Sequence, residues 1–301
     1  MLGRRQIREK VVENLYSFSQ NPLKIEVVEK NFLTEIEKVY HLYLYQLNFL
    51  VVLKHLAEQQ IEIGKNKFLK TEENLNPNQK FINNRALIML EENPERLDFT
   101  TKHQELKWDV NNELVLKTFR RILAGKRYQD FMKEESFSFE EDQKFLGKLF
   151  LKYVAENDDF HSHLEELEIS WADDFHIANS MTQKTIGFLK PDEHISLAKV
   201  FKDDDDRDFA VKLLRSAVKD FEPNEKKIQE RLQNWDFERI SLMDKIIMLV
   251  AISELDNFPF TASRIIINEY VEIAKVYSGE KSNIFINGIL DRYAKDQNRI
   301  N

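Results

Sequence analysis

Cysteine is absent from the 301 residues. That excludes disulfides, zinc–thiolate centres and cysteine nucleophiles, and fits a reducing compartment such as the cytoplasm. Glycine and proline are scarce, at seven and six. With so few chain breakers, and with leucine, glutamate, lysine and phenylalanine dominant, the expected class is all-α. No pair of alternating segments flanks an Asn-Gly or Asp-Gly turn, so no β-hairpin is expected. Long hydrophobic runs are missing too. The greasiest stretch, 39–53, contains His41, Gln46 and Asn48 and reads as a buried helix, too short and polar to span a bilayer. The opening MLGRRQIREK has no apolar core of a signal-peptide kind. Phosphate-loop, dinucleotide and His-Glu-x-x-His patterns do not occur. No enzyme and no cofactor is therefore expected.

The formal net charge is −8, which argues against a protein that coats nucleic acid uniformly and leaves room only for a local basic patch. One candidate is the first predicted helix, 1–19. Its apolar face carries Ile7, Val11, Leu15 and Phe18, while Arg4, Arg5, Arg8 and Lys10 crowd its first turns. Cations there oppose the helix dipole. They are either a solvated helix end or a seat for phosphates.

A helix is predicted over about 25–63, a polar loop over 64–80, a short helix over 81–92, and another over 114–125 anchored by Val115, Phe119 and Ile122. Trp108 is expected to anchor the ambiguous segment before it. A shift of 64 positions pairs Asp142 with Asp206, Phe145 with Phe209, Leu149 with Leu213 and Trp171 with Trp235. That predicts two related helical hairpins, about 140–190 and 204–255. The run Asp203–Asp206 reads as a helix start. His161 and His163, two positions apart, point to different sides of a helix, so no metal site is expected there.

The C-terminal third carries the strongest signal. Leu242 to Leu255 is apolar on nearly every side, which places a helix at the centre of a bundle. Asn257, Pro259 and Thr261 interrupt it, a second helix is predicted from about Asn268 to a left-handed Gly279, and a third is capped by Ser282 or Asn283. The ordered residues Asp244, Ile247, Ala251, Glu254-Leu255, Pro259, Ile267-Asn268-Glu269, Val271-Glu272, Ala274-Lys275, Lys281-Ser282, Phe285, Asn287-Gly288 and Leu290-Asp291 resemble the C-terminal signature of the NusB family. Leu2, Arg4-Arg5, Ile7-Arg8, Lys10 and Leu15-Tyr16 resemble that family's first helix.

The resemblance implies a pair of packed helical bundles enlarged by extra helices: a basic N-terminal helix (1–19), a helical insertion (20–203) and a C-terminal bundle (204–301). It implies RNA binding in transcription antitermination on boxA-like RNA of ribosomal-RNA leaders, with the ribosomal protein NusE and the elongation complex as partners. Arg4, Arg5, Arg8, Lys10, Lys281, Ser282, Phe285 and Asn287 would face RNA on one basic surface; Tyr16 and Glu254 would face a protein partner. Replacing Arg5 and Arg8 together should then cost less than about 0.5 kcal/mol of stability, as ordinary surface substitutions do. Two rival readings are a helical protein–protein adaptor without RNA binding, and a stand-alone module of the ribosomal-RNA methyltransferase type. The missing cysteine argues against a complete methyltransferase, and the arginine cluster argues against a pure adaptor.

Overall fold

The computed structural model describes residues 2–135, 138–191, 193, 195–232 and 236–299. Among these residues the chain is all-α, with no strand. It divides into two compact units. One joins residues 1–36 to 200–301, and the other holds 37–199.

The first unit contains α1 (Arg4–Gln20), the opening turns of α2 (Ile25–Lys65), α11 (Asp204–Lys219), α12 (Phe221–Gln229), α13 (Leu242–Asn257), α14 (Ser263–Tyr277) and α15 (Ser282–Asp296). Ser241 starts α13 by accepting the Asp244 N–H at 3.1 Å. From Ile246 to Leu255 every residue is buried, and α1, α11, α12, α14 and α15 all pack against this helix. A helix apolar all round has to lie inside. α1 contributes Ile7, Val11, Val12 and Leu15, all fully buried. Each such aliphatic side chain removed from water is worth about 1.5–3 kcal/mol, so α1 is bound firmly to its unit. Asp203 caps α11 by accepting the Asp206 N–H at 3.0 Å, and Asp204–Asp206 form its first turn. The aspartate run is thus a helix start, as expected.

Two boundaries differ from expectation. α14 begins at Ser263, not near Asn268, because Ile266 and Ile267 are already needed in the core. It ends at Tyr277, where Ser278 is extended (φ −133°, ψ 178°), and no described glycine has positive φ. Gly279 is therefore no left-handed cap. Nor does Ser282 or Asn283 cap α15: Lys281 holds the cap position without a side-chain bond. The Ser278 and Ser282 hydroxyls instead both donate to Asp244, Ser282 at 2.9 Å. One buried carboxylate so ties the start of α13 to the turn between α14 and α15.

The second unit is built on the rest of α2, with α3 (Glu72–Leu75), α4 (Arg85–Glu91), α5 (Pro94–Lys102), α6 (Glu113–Ala124), α7 (Lys126–Lys133), α8 (Phe139–Phe150), α9 (Asp158–Leu167) and α10 (Trp171–Phe188). Most polar groups in its greasy helix find partners, although among the described residues the buried Asn48 amide nitrogen has none. Asn48 accepts from Arg96 at 2.7 Å, and Gln46 bridges Asn179 and Thr182, both at 2.8 Å. Trp108 is the anchor expected: its ring stacks on Tyr45 with centroids 4.4 Å apart, and its N–H donates to the Tyr45 carbonyl. His163 and His161 do diverge, one bonding Tyr45 and the other the Ala155 carbonyl. Residues 142–171 and 206–232 both fold as helix, turn, helix. Asp142 and Asp206 occupy their first helical turns, and each accepts from an arginine, Arg85 and Arg4 respectively. Trp171 is buried; Trp235 lies outside the described residues.

Candidate functional site

The basic residues of α1 meet the C-terminal helices through a set of charge pairs. Arg5 contacts Glu269, and Tyr277 donates to Glu13 at 2.8 Å; both pairs are 264 residues apart in sequence. An equal offset means that α1 and α14 run side by side in the same direction. Arg5 grips Glu269 with two bonds, at 2.8 and 3.0 Å. That hydrogen bond raises the Arg5 guanidinium above its ordinary pKa and lowers the Glu269 carboxyl below its own. Arg4 bonds Asp206 at 3.0 Å and lies 4.8 Å from the centre of the Phe209 ring. Arg4 and Arg5 keep side-chain exposures of 47% and 45%.

Arg8 is different, and here the sequence expectation is corrected. Its side chain is 4% exposed and bonds the fully buried Glu254 at 2.8 and 2.6 Å. Tyr270 donates to the same carboxylate at 2.7 Å. Burial pulls the Arg8 pKa down, but Glu254 outweighs it and the net shift is upward. Burial, with the Glu254 charge adding to it, puts the Tyr270 phenol well above its usual range. A carboxylate inside the apolar α13 demands a cation, and α1 supplies it. Arg8 is therefore not part of an open RNA-facing surface, and Glu254, at 0% exposure, cannot face a protein partner. Lys10 is corrected likewise: it is buried and pairs with Glu13 at 2.9 Å.

Lys281 and Asn287 are exposed, Ser282 and Phe285 half-buried, and Tyr16 is 37% exposed. Glu269, the partner of Arg5, lies at the middle of α14, eight residues or about 12 Å of helical rise before Tyr277, whereas Lys281 lies beyond the C-terminal end of that helix. Nor is the α1 face uniformly basic, because Asp206, Glu269 and Glu13 stand between its cations. Sequence reading missed Asp206 and Glu269 as the counter-ions of Arg4 and Arg5. Among the described residues, His55, Glu58 and Glu91 bring donor atoms within 4.8 Å of one another. Lys54 already lies 2.5 and 2.8 Å from the two carboxylates and supplies their positive charge.

Comparison with known proteins agrees with this arrangement. The NusB family profile matches residues 177–295, which takes in α11 to α14 and nearly all of α15. The chain is 34% identical to the transcription antitermination protein NusB of Leptospira biflexa over 93 residues, 31% of this chain and 66% of that one. It is 34% identical to the Salinibacter ruber protein of that name over 111 residues, 35% of this chain and 69% of that one. With the Clostridium botulinum (strain Kyoto) protein it shares 35% over 108 residues, 35% of this chain and 76% of that one. The chain thus spans about two thirds to three quarters of the length of these relatives. No solved structure matches it. With the all-α fold, the central α13 and the profile match in agreement, the chain belongs to the NusB family.

Proposed function

We propose that this chain is an RNA-binding transcription antitermination factor that takes hold of boxA-like RNA together with the ribosomal protein NusE. The mechanism is recognition rather than catalysis: cations position the backbone and a few side chains select unpaired bases. The observation that carries it is the contrast within α1. Arg8 is locked in the core, whereas Arg4 and Arg5 keep about half of their side chains exposed, Arg4 on the buried Asp206 and Arg5 on the half-buried Glu269. Exposed ion pairs are worth about 0–1 kcal/mol, and the Arg5–Glu269 pair is the more open of the two, so an RNA phosphate replaces Glu269 at lower cost than the buried Asp206. Arg5 is suited to that exchange because its planar fork takes a phosphate as readily as a carboxylate. Lys281, beside the free N–H groups at the start of α15, offers a second phosphate seat. Phe285 and Asn287 lie on the same helix as candidates for base contact, and Tyr16 remains the candidate for the protein partner.

The test is a salt titration of boxA-like RNA binding, with and without NusE, for the native chain and for R4A/R5A. Each lost single-strand phosphate contact should flatten the log-affinity against log-salt slope by about 0.7, so the double variant should lose about 1.4. An unchanged affinity and slope would favour the adaptor reading, in which α1 only builds the bundle.

A further inference from the structure

The second unit carries a basic groove that the charge pairs described above do not use. It lies between α7 and α8 and encloses 560 Å³. Lys126 and Arg127 line one side, from the first turn of α7. Lys144, Lys148 and Lys152 line the other, at successive four-residue steps along α8 and the π-turn Leu151–Ala155 that continues it. Asp130, Glu134 and Glu141 also border the groove, so five cations face three carboxylates in a chain whose overall charge is −8.

Local structure explains how the cations come together. A side chain on Gly125 would collide with the Tyr153 hydroxyl, which itself donates to the Arg121 carbonyl. Glycine thus lets the α6–α7 corner close onto the π-turn, bringing Lys126 and Arg127 to the groove that Lys152 lines. The floor is a stacked pair, Phe131 and Phe145, with centroids 3.9 Å apart. Both rings are buried, so they support the walls and offer no free face to a base or a lipid chain.

The cations are uncommitted. Among the described residues, no carboxylate stands within ion-pair distance of Lys126, Arg127, Lys144 or Lys148, and Lys152 only overlies the Tyr153 ring at 5.4 Å. Glu141 is otherwise engaged, accepting the Ser138 N–H in a capping box. Like charges one turn apart repel on a helix, so the lysine row is unfavourable until an anion lies along it. π-turns are rare and frequently found at functional sites, and this one sets the last lysine of the row.

We propose that this groove binds the phosphate backbone of single-stranded RNA, without regard to base sequence. Four residues of helix rise about 6 Å, a step comparable to the separation of neighbouring phosphates in an extended strand. A row of lysines at that step, facing two further cations across a concave groove, matches a linear polyanion better than a single phosphate or a flat membrane. The ligand class rests on the RNA-binding reading above; the site is separate from α1 and α15.

The experiment uses the full chain, a 20-nucleotide poly(U) strand and a boxA-like strand, each titrated from low to moderate salt. The triple variant K144A/K148A/K152A removes exposed or half-buried side chains, so its melting curve should match the native one. Its salt slope should fall by about 2, three contacts at roughly 0.7 each, for both strands alike. R4A/R5A should keep the groove contribution. If the triple variant binds both strands with native slope while R4A/R5A weakens, the groove proposal is overturned and the RNA reading stands. If the native chain shows no salt-dependent RNA binding at all, both fall. Poly-glutamate binding that equals poly(U) and is lost in the triple variant would also overturn the proposal, in favour of an acidic protein segment.

Discussion

Replacing Arg8 by alanine should destabilise the first unit by about 3–5 kcal/mol, the usual cost of removing one partner of a buried ion pair. The geometry places this pair at the severe end. Glu254 has no exposure, so the carboxylate left behind cannot be rehydrated without opening α1 from α13. It would keep only the Tyr270 hydroxyl at 2.7 Å and lose both guanidinium bonds. Arg8 also lies 5.3 Å from the Phe209 ring centre, a packing contact that alanine forfeits. Domains of this size carry about 5–15 kcal/mol of net stability, so the variant should approach unfolding under physiological conditions. Urea unfolding followed by far-UV circular dichroism reads the loss as a lower midpoint of the first transition. The double variant R8M/E254L removes both charges while keeping the apolar volume, and should recover most of the loss, since such replacements are often neutral or stabilising. A loss below about 1 kcal/mol for R8A would refute the reasoning. Arg8 would then behave as the surface cation that its place beside Arg4 and Arg5 suggests.

Two further outcomes follow from single carboxylates. Burial, with the Glu13 charge adding to it, pushes Glu9 up to about 7. A carboxyl whose folded-state pKa exceeds its unfolded value favours folding at low pH, and that contribution is lost as pH rises from about 4.5 to 7. Fully expressed it is worth about 3 kcal/mol, and solvent access reduces it to about 1–2 kcal/mol. E9Q should therefore match the native chain near pH 4.5 and unfold at higher urea at pH 8; equal midpoints at both values would dismiss the shift. Asp244 accepts from Ser278 and Ser282 at once. D244A should cost about 1–3 kcal/mol through the two stranded hydroxyls and the untied α14–α15 turn, read as a lower melting temperature with unchanged helix content; an unshifted melting curve would sink it.

How much of this was legible in the sequence differs from one residue to the next, for physical reasons. The helical class and the central place of α13 were readable, because scarce glycine and a run apolar on every side leave a helix no alternative but the interior. The end of α14 was not. Glycine suggests a left-handed turn, but Asp244 holds Ser278 extended instead, and that contact spans 34 residues. Arg8 shows the limit most clearly. One-dimensional spacing puts it with Arg4 and Arg5, and only the fold separates the buried cation from the exposed ones. Yet a signal was present in the segment IIMLVAISEL: a lone glutamate deep in an apolar helix cannot stay ionised without a cation delivered from elsewhere. α1 is the basic segment whose apolar face fits α13, and Arg8 follows directly after the buried Ile7. Searching the chain for the cation that a buried carboxylate requires would have moved Arg8 from the candidate RNA surface to the core. The same search would have left Arg4 and Arg5 as the cations of α1 that keep about half of their side chains in solvent.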